Sequence, residues 1–226
     1  MISVIYQVSV WIIPVLVAIT FHEAAHGYVA WRLGDHTAKD LGRVSFSPIR
    51  HIELMGTIIV PLMLLIFRAP FLFGWAKPVP VNFGNLRKPR RDMVLVAAAG
   101  PVINLLLALG SAILLHIVPL LGDETGKWIS NNLGNSILIN LVLAVFNMLP
   151  LPPLDGGRVA VGLLPKVLGD QLARLERVGF LIVILLILVV PLVGNTLGLE
   201  WNLLVWLIST PVDVLFRFVM VLAGHS

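Results

Sequence analysis

The first 33 residues form an apolar stretch long enough to cross a membrane, and a metal-binding string lies inside it. The string is His22-Glu-Ala-Ala-His26. Two histidines four residues apart on a helix project from one face and can bind the same ion, and a glutamate beside the first can act on metal-bound water. Ionisable side chains are costly inside an apolar span. The string therefore predicts one zinc ion held by His22 and His26, with Glu23 as the general base.

The composition extends the membrane prediction to the whole chain. Of its 226 residues, 58% are hydrophobic and only 12% are charged, which is about half the charged fraction of a soluble domain. The apolar residues fall in blocks that suit a hydrocarbon layer of about 30 Å. We expect an all-α polytopic membrane protein with about five to six hydrophobic helical segments. These would form a single integral-membrane metalloprotease domain over residues 1–226, with a core at 1–160 and accessory helices at 178–222.

The apolar blocks predict where the helical segments lie. They cover approximately residues 2–33, 52–75, 93–121, 137–149, 178–193 and 203–222. The stretches at 122–131 and 158–177 are expected to be loops, and the basic residues of the second mark it as cytoplasmic. Residues 41–48 alternate between apolar and polar side chains, which is typical of a short strand.

The second apolar block differs from the others. It contains Pro61 and Pro70 and has basic residues on both flanks. These features favour a re-entrant segment, which enters and leaves the membrane on the same side, although a spanning helix is the alternative.

The basic residues of this chain, which carries a formal net charge of +4, collect between the apolar blocks and most densely at Arg87-Lys-Pro-Arg-Arg91. Basic residues that flank spans indicate a cytoplasmic side. The sequence shows no basic face with base-stacking aromatics, so nucleic-acid binding is not expected. We expect an integral protein of a prokaryotic plasma membrane, in contact with the lipid bilayer, with its active site toward the cytoplasm. The chain has no cysteine, which excludes disulfides and thiolate ligands.

A catalytic zinc ion usually has three protein ligands and one position for water, so a third ligand is expected. Asp155 is the best candidate, because it follows an apolar helix and precedes two glycines that allow close packing. It would lie at the same end of its helix as His22 does. An Asp that caps the turn before Gly156 is the alternative. His36 and His51 are reserve ligands and are expected to be solvated or interfacial.

Three motifs identify the chain as similar to a known family. Phe21-His-Glu-Ala-Ala-His-Gly-Tyr28, Ala99-Gly-Pro-Val-Ile-Asn104 and Phe146-Asn-Met-Leu-Pro-Leu-Pro-Pro-Leu-Asp-Gly-Gly157 occur in that order between apolar blocks. They resemble the site-2 protease family of intramembrane zinc metallopeptidases, over most of the chain up to about residue 160. The short form of that family, without a PDZ or CBS domain, fits best.

The resemblance implies a role for each matching residue. His22, His26 and Asp155 would hold zinc, and Glu23 would activate water. Asn147 would position the substrate or stabilise the oxyanion. The expected activity is hydrolysis of a peptide bond within or near a transmembrane segment of a substrate protein, as in regulated intramembrane proteolysis.

Two other classes of function remain as alternatives. A membrane metal carrier would need more than one cluster of ligands along a path. A non-catalytic scaffold would retain zinc for structure and close the site with a fourth ligand, for which His36 or His51 would be available.

Overall fold

The structure is a computed structural model that describes residues 2–66, 74–186 and 203–225. Its α-helices are α1 (Ile2–Arg32), α2 (Thr37–Asp40), α3 (Val60–Ile66), α4 (Pro89–Leu114), α5 (Asp123–Asn147), α6 (Asp155–Leu163), α7 (Lys166–Arg174), α8 (Glu176–Ile184) and α9 (Leu203–Leu222). Shorter helical turns lie at Pro48–His51, Leu54–Ile59, Phe83–Asn85 and Leu115–Leu120. These ranges contain no strand, so the all-α class is confirmed.

Three helical stretches are long and apolar enough to cross a membrane. They are Ile5–Arg32, Pro89–Leu120 and Asp123–Asn147. The expected count of five to six segments is therefore not confirmed within the described residues. The block expected at 178–193 extends beyond them, because residues 187–193 lie outside the described part of the chain.

Helices α1 and α5 run in the same direction. Near their first turns the Asn131 side chain donates to the Tyr6 hydroxyl at 2.7 Å, and Trp128 Nε1 donates to Ser9 Oγ at 3.0 Å. Helix α4 packs between them in the opposite direction, because its later residues lie beside earlier residues of α1. The prediction of a loop at 122–131 is wrong, since α5 already begins at Asp123. Polar side chains of this stretch contact α1.

The chain between α1 and α4 leaves one end of the bundle and returns to it. The Trp75 N–H donates to the Gly56 carbonyl at 3.1 Å, and Thr57 Oγ1 donates to the Trp75 carbonyl at 2.9 Å. Residues 56 and 75 are thus adjacent, as expected for a re-entrant segment. Residues 67–73 between them lie outside the described ranges. We call this end, where α1 ends and α4 begins, the basic end, and the opposite end the far end.

Residues 41–48 form turns and bends instead of the expected strand. The polar groups here find partners other than a neighbouring strand. Arg43 Nη2 donates to the Lys77 carbonyl at 2.8 Å, and the His51 ring bonds through Nε2 to the Ser45 carbonyl at 2.9 Å. The alternation of apolar and polar residues in this stretch therefore goes with individual contacts of its polar groups and not with pairing to a strand.

The loop expected at 158–177 is also wrong, because α6, α7 and the start of α8 occupy it. Helix α6 packs along the first turns of α4, where the Arg90 guanidinium donates to the carbonyls of Val161 and Leu164. These carbonyls end α6 and have no later turn to bond them. The basic residues that indicated a loop are the polar side of short helices.

Helix α9 packs away from the basic end. Its buried side chains join those of α4 and α5 in one apolar cluster that includes Ala108, Ala112, Ile137, Leu141, Val212 and Val219. The α4 members of this cluster lie beyond Asn104, toward the far end. The position of α9 agrees with an accessory role.

Candidate metal centre

Three side chains that could hold a metal ion converge in the bundle from two helices. His22 and His26, one turn apart on α1, place their Nε2 atoms 3.0 Å from each other. Asp155, in the first turn of α6, places Oδ2 3.2 Å from each of these nitrogens. The side chains of His22 and Asp155 are buried. This is the only group of three potential ligands found within the described ranges.

The donor atoms fit a zinc ion. Tetrahedral zinc with bonds of about 2.0–2.1 Å places its ligand atoms about 3.3 Å apart, close to the spacing observed here. Asp155 Oδ2 is buried and has no hydrogen-bond partner among the described residues. A buried carboxylate oxygen without a partner is costly unless a cation compensates it. Two imidazoles and one carboxylate are a typical set for a catalytic site, which keeps its fourth position for water.

Glycines allow the two other chain segments to approach this group. A Cβ atom on Gly100 of α4 would lie 2.5 Å from His22 Cε1 and from His26 Nε2. A Cβ on Gly156 would lie 2.2 Å from the Met148 carbonyl oxygen. Any larger residue at either position would displace a ligand or the turn that carries it. Gly100 therefore marks a close approach of α4 to α1.

Hydrogen bonds orient both imidazole rings. His26 Nδ1 lies 2.7 Å from the Val96 carbonyl, which can only accept, so Nδ1 carries the proton. His22 Nδ1 lies 2.5 Å from Asn104 Oδ1. In both rings this leaves the Nε2 lone pair free to bind metal, and such outer partners usually fix the tautomer of metal-binding histidines.

Asn104 is itself held by a polar network. Its Nδ2 donates to Asn140 Oδ1 at 2.7 Å and to the Ala18 carbonyl at 3.3 Å, which leaves Oδ1 to accept from His22. Asn140 donates in turn to the Ser136 carbonyl at 2.8 Å. From the sequence no contact was assigned to Asn104, and Asn140 was not identified. The one-turn spacing of Gly100 and Asn104 places both on one helix face and could have indicated a shared neighbour.

Glu23 has a hydrogen-bond partner that the candidate ligands do not share. Its Oε2 accepts from the Val79 N–H at 2.7 Å, and its side chain is partly exposed. The extended segment that contains Val79 is fixed from its other side by Arg43, which donates to the carbonyls of Lys77 and Pro78. Glu23 is thus tied to a rigid segment next to the first histidine.

The remaining candidates are Asn147 and the two reserve histidines. Asn147 is the last residue of α5, and its Nδ2 donates to the Leu143 carbonyl at 3.0 Å. Its role toward substrate stays a prediction. His36 is exposed, as expected for a solvated residue. His51 was expected to be solvated or interfacial, but its side chain is buried and bonds to the Ser45 carbonyl. Neither reserve histidine joins His22, His26 and Asp155.

The distance of this group from the basic end follows from helix geometry. Gly100 contacts both ligating rings, and Arg90 lies ten residues earlier on α4, at the basic end. At 1.5 Å per residue the separation is about 15 Å. The same count separates His22 from Arg32 on α1, whereas His26 lies six residues, or about 9 Å, before Arg32. The candidate ligand group therefore lies up to about half a hydrocarbon thickness from the ends of both helices.

Apolar helices long enough to span a membrane and a convergent pair of histidines with an aspartate define the class of membrane zinc metalloproteases. Comparisons with known proteins agree, since residues 123–190 match peptidase family M50. The chain is 42% identical over 185 residues to YwhC of Bacillus subtilis, which is assigned by its name as a zinc metalloprotease, and the match covers 80% of each protein. The chain therefore belongs to peptidase family M50.

More distant relatives carry the same assignment in their names. The chain is 27% identical to Rip2 of Mycolicibacterium smegmatis over 76% of its own length and 64% of the relative. It is 33% identical to Rip2 of Mycobacterium tuberculosis over 62% of its own length and 52% of the relative. No solved structure matches the chain.

Proposed function

We propose that this membrane zinc metalloprotease is an intramembrane endopeptidase that hydrolyses peptide bonds within or near transmembrane segments of other membrane proteins. The observation that carries the proposal is the convergence of His22, His26 and Asp155 about 15 Å from the ends of α1 and α4. A site at that distance is better placed for a membrane-embedded peptide bond than for one in a soluble protein.

His22, His26 and Asp155 would hold one zinc ion per chain. When bound, zinc supplies Lewis acidity that makes water nucleophilic near neutral pH and polarises a carbonyl group. Glu23 accepts the proton of the attacking water and delivers it to the leaving amine. Asn147 is the candidate donor to the oxyanion, because its partly exposed amide at the end of α5 needs to exchange only one intrahelical bond.

Water would enter from the basic end. Arg158 lies one turn after Asp155 on α6 and pairs with Glu176 at 3.1 Å, and both side chains are partly exposed. Polar groups thus extend to within one turn of the ligand group. The basic residues at this end favour a cytoplasmic position, which supports an active site open to the cytoplasm of a prokaryotic plasma membrane.

A substrate helix must unwind locally, because its carbonyls are hydrogen-bonded within the helix. Non-helical backbone lies beside α1 one residue after His26. The position that a Cβ of Gly27 would take is 3.0 Å from the Val79 side chain and 3.1 Å from that of Val44. The segments that contain Val44 and Val79 are the candidates for backbone pairing with an unwound substrate.

The test is zinc content and cleavage of single-span model substrates by the purified protein. We expect Glu23→Gln to retain zinc and lose cleavage, and Asp155→Ala to lose zinc. His36→Ala changes an exposed histidine outside the ligand group and should leave both properties unchanged. A Glu23→Gln protein with full proteolysis would contradict the proposal. Zinc binding without cleavage of any substrate would favour the scaffold or carrier alternatives.

A further inference from the structure

Helix α7 has an apolar face that is largely exposed, although Leu172 on it is half-buried. Val167, Leu168, Leu172 and Leu175 share one side of this helix, according to the spacing of residues in an α-helix. Val167 is 70% exposed and Leu168 is 50% exposed. Leu163, just before the helix, is 71% exposed. A contiguous exposed apolar face on a short helix marks an interaction surface.

The opposite side of α7 is charged. Lys166, Asp170 and Arg174 lie there, and Arg177 continues it after the helix. The sides of α7 therefore differ sharply, with exposed leucine and valine on one and mostly cationic side chains on the other. This arrangement is typical of a helix that lies at a membrane surface and contacts anionic lipids.

The protein holds α7 at the level where α4 begins. Arg90 donates to the carbonyls of Val161 and Leu164 at the end of α6. Gly169 of α7 is buried there as well, and a Cβ on it would lie 2.7 Å from the Val161 oxygen and 3.2 Å from Arg90 Nη2. With nine residues, α7 is about 13 Å long and too short to cross a membrane.

The neighbouring end of α4 adds positive charge. Arg87, Lys88 and Arg91 are exposed directly beside Arg90. The acidic side chain in the first turn of this helix, Asp92, is buried and accepts from the Lys88 N–H at 2.8 Å. The surface next to α7 is therefore strongly cationic, which complements phospholipid headgroups that carry a negative charge.

We propose that α7 is a membrane-surface helix that inserts its apolar face among the acyl chains and concentrates anionic phospholipids through Lys166 and Arg174. The partner is the anionic lipid of the adjacent leaflet. This proposal does not depend on the peptidase activity. Because α7 continues from the helix that bears Asp155, lipid contact here would also hold that helix in place.

The natural absence of cysteine allows a direct test with the full chain. A fluorophore is attached at Val167→Cys on the apolar face or at Asp170→Cys on the charged face, with one protein per lipid nanodisc. Quenching is measured with nitroxide-labelled phosphatidylcholine and, at an equal fraction, nitroxide-labelled phosphatidylglycerol. We expect quenching at position 167 but little at position 170, and at least about twofold stronger quenching by the anionic lipid.

Charge removal separates lipid enrichment from insertion. Lys166→Gln with Arg174→Gln should remove the preference for the anionic lipid while quenching at position 167 remains. Lys127→Gln, which removes a cation near the start of α5, should leave the preference intact. Absence of quenching at position 167, or equal quenching by the two lipids, would overturn the proposal. If position 167 is protected from quenching only in discs that hold two copies of the protein, the apolar face would instead be assigned to contact with a second copy.

Discussion

At the scale of single residues, the candidate metal site depends on the lack of a side chain at Gly100 as well as on the side chains that could hold the metal. Gly100 brings α4 against both ligating rings, and its absent Cβ leaves the space that the rings occupy. On the same face, one turn later, Asn104 aligns the His22 ring. The geometry of the ligands is therefore determined largely by α4, which contributes no ligand.

Gly100→Ala should weaken zinc binding. The new methyl group would overlap His22 and His26, and overpacking of this kind costs about 1–3 kcal/mol, which corresponds to a loss of zinc affinity of roughly tenfold or more. Competition with a chelator measures this loss. Gly110→Ala on the same helix is the matched control, because a Cβ there meets no atom within 4 Å. Equal zinc affinities of the two variants would show that the rings do not need this space.

The ligands could be proposed from sequence because each comes from a local pattern. His22 and His26 are joined by helical periodicity, and Asp155 stands out as a carboxylate after an apolar helix. The role of Asn104 could not be derived, because an amide in a membrane helix commonly bonds to any neighbouring helix. Only the spatial arrangement shows that its Oδ1 faces His22 while its Nδ2 faces Asn140.

At the scale of elements, the extended segment 74–81 connects the re-entrant region to the site. It carries the Val79 N–H to Glu23 and is fixed by Arg43 on its other side. Helix boundaries were harder to predict than helix existence. Residues 122–131 look like a loop because polar residues and two glycines interrupt the apolar pattern, but Asn131 bonds to Tyr6 of α1. Polar contacts between helices are not visible in hydropathy.

Val79→Pro should reduce cleavage while zinc stays bound. Proline removes the N–H that holds Glu23, and its preferred backbone suits a segment that already has prolines on both sides. Loss of one charge-assisted hydrogen bond of about 1.5–3 kcal/mol predicts a decrease in kcat of roughly tenfold or more. Val79→Ala keeps the N–H and should retain more activity. Similar kcat values for the two variants would show that the N–H does not position Glu23.

A second junction joins the end of α1 to the segment before α4 through Asp35. Burial opposes ionisation of this carboxylate, but hydrogen bonds from Thr37, Asn85 and the Asn82 N–H hold the pKa of Asp35 below its usual range. A lowered folded-state pKa means that the ionised group stabilises the fold above its ordinary pKa of about 4. This stabilisation is lost as the pH falls through the lowered value.

Asp35→Asn should therefore lower the free energy of unfolding near neutral pH by about 1.5–3 kcal/mol. The difference from wild type should shrink as the pH falls below about 4, where the carboxylate of the unfolded chain takes up a proton, and should be lost below the lowered pKa of the folded protein. Thermal unfolding in detergent across this pH range measures both effects. Asp40→Asn, which changes an exposed aspartate of α2, is the control and should follow wild type. A constant difference between wild type and Asp35→Asn at all pH values would contradict this prediction.

At the scale of the whole molecule, the direction of the helices brings the ligands together. Helices α1 and α5 run from the far end, and α4 returns between them, so the end of α1 and the turn after α5 meet at the same level. A second full crossing between α1 and α4 would have separated His22 and Asp155. The prolines and basic flanks of the second apolar block favoured a re-entrant segment from sequence, and the adjacency of Gly56 and Trp75 agrees with it.

The orientation in the membrane can be measured with single cysteines, since the natural chain has none. Lys166 and Glu124 are exposed near the basic end and the far end, respectively. A membrane-impermeant thiol reagent applied to intact cells should label Glu124→Cys but not Lys166→Cys, because the basic end is expected to face the cytoplasm. Inverted vesicles should give the opposite result. Labelling of Lys166→Cys from outside the cell would reverse the proposed orientation.

Under the proposed activity on transmembrane substrates, the 15 Å between the candidate ligand group and the helix ends has a consequence for the products of cleavage. A helix cut at that level is divided into two pieces of about ten apolar residues each, whereas about twenty are needed to cross the hydrocarbon layer. Neither piece can remain a stable span, so each would be free to leave toward its own side of the membrane. Hydrolysis of a single bond would by itself convert an anchored protein into two detachable ones, without a separate machine to extract them.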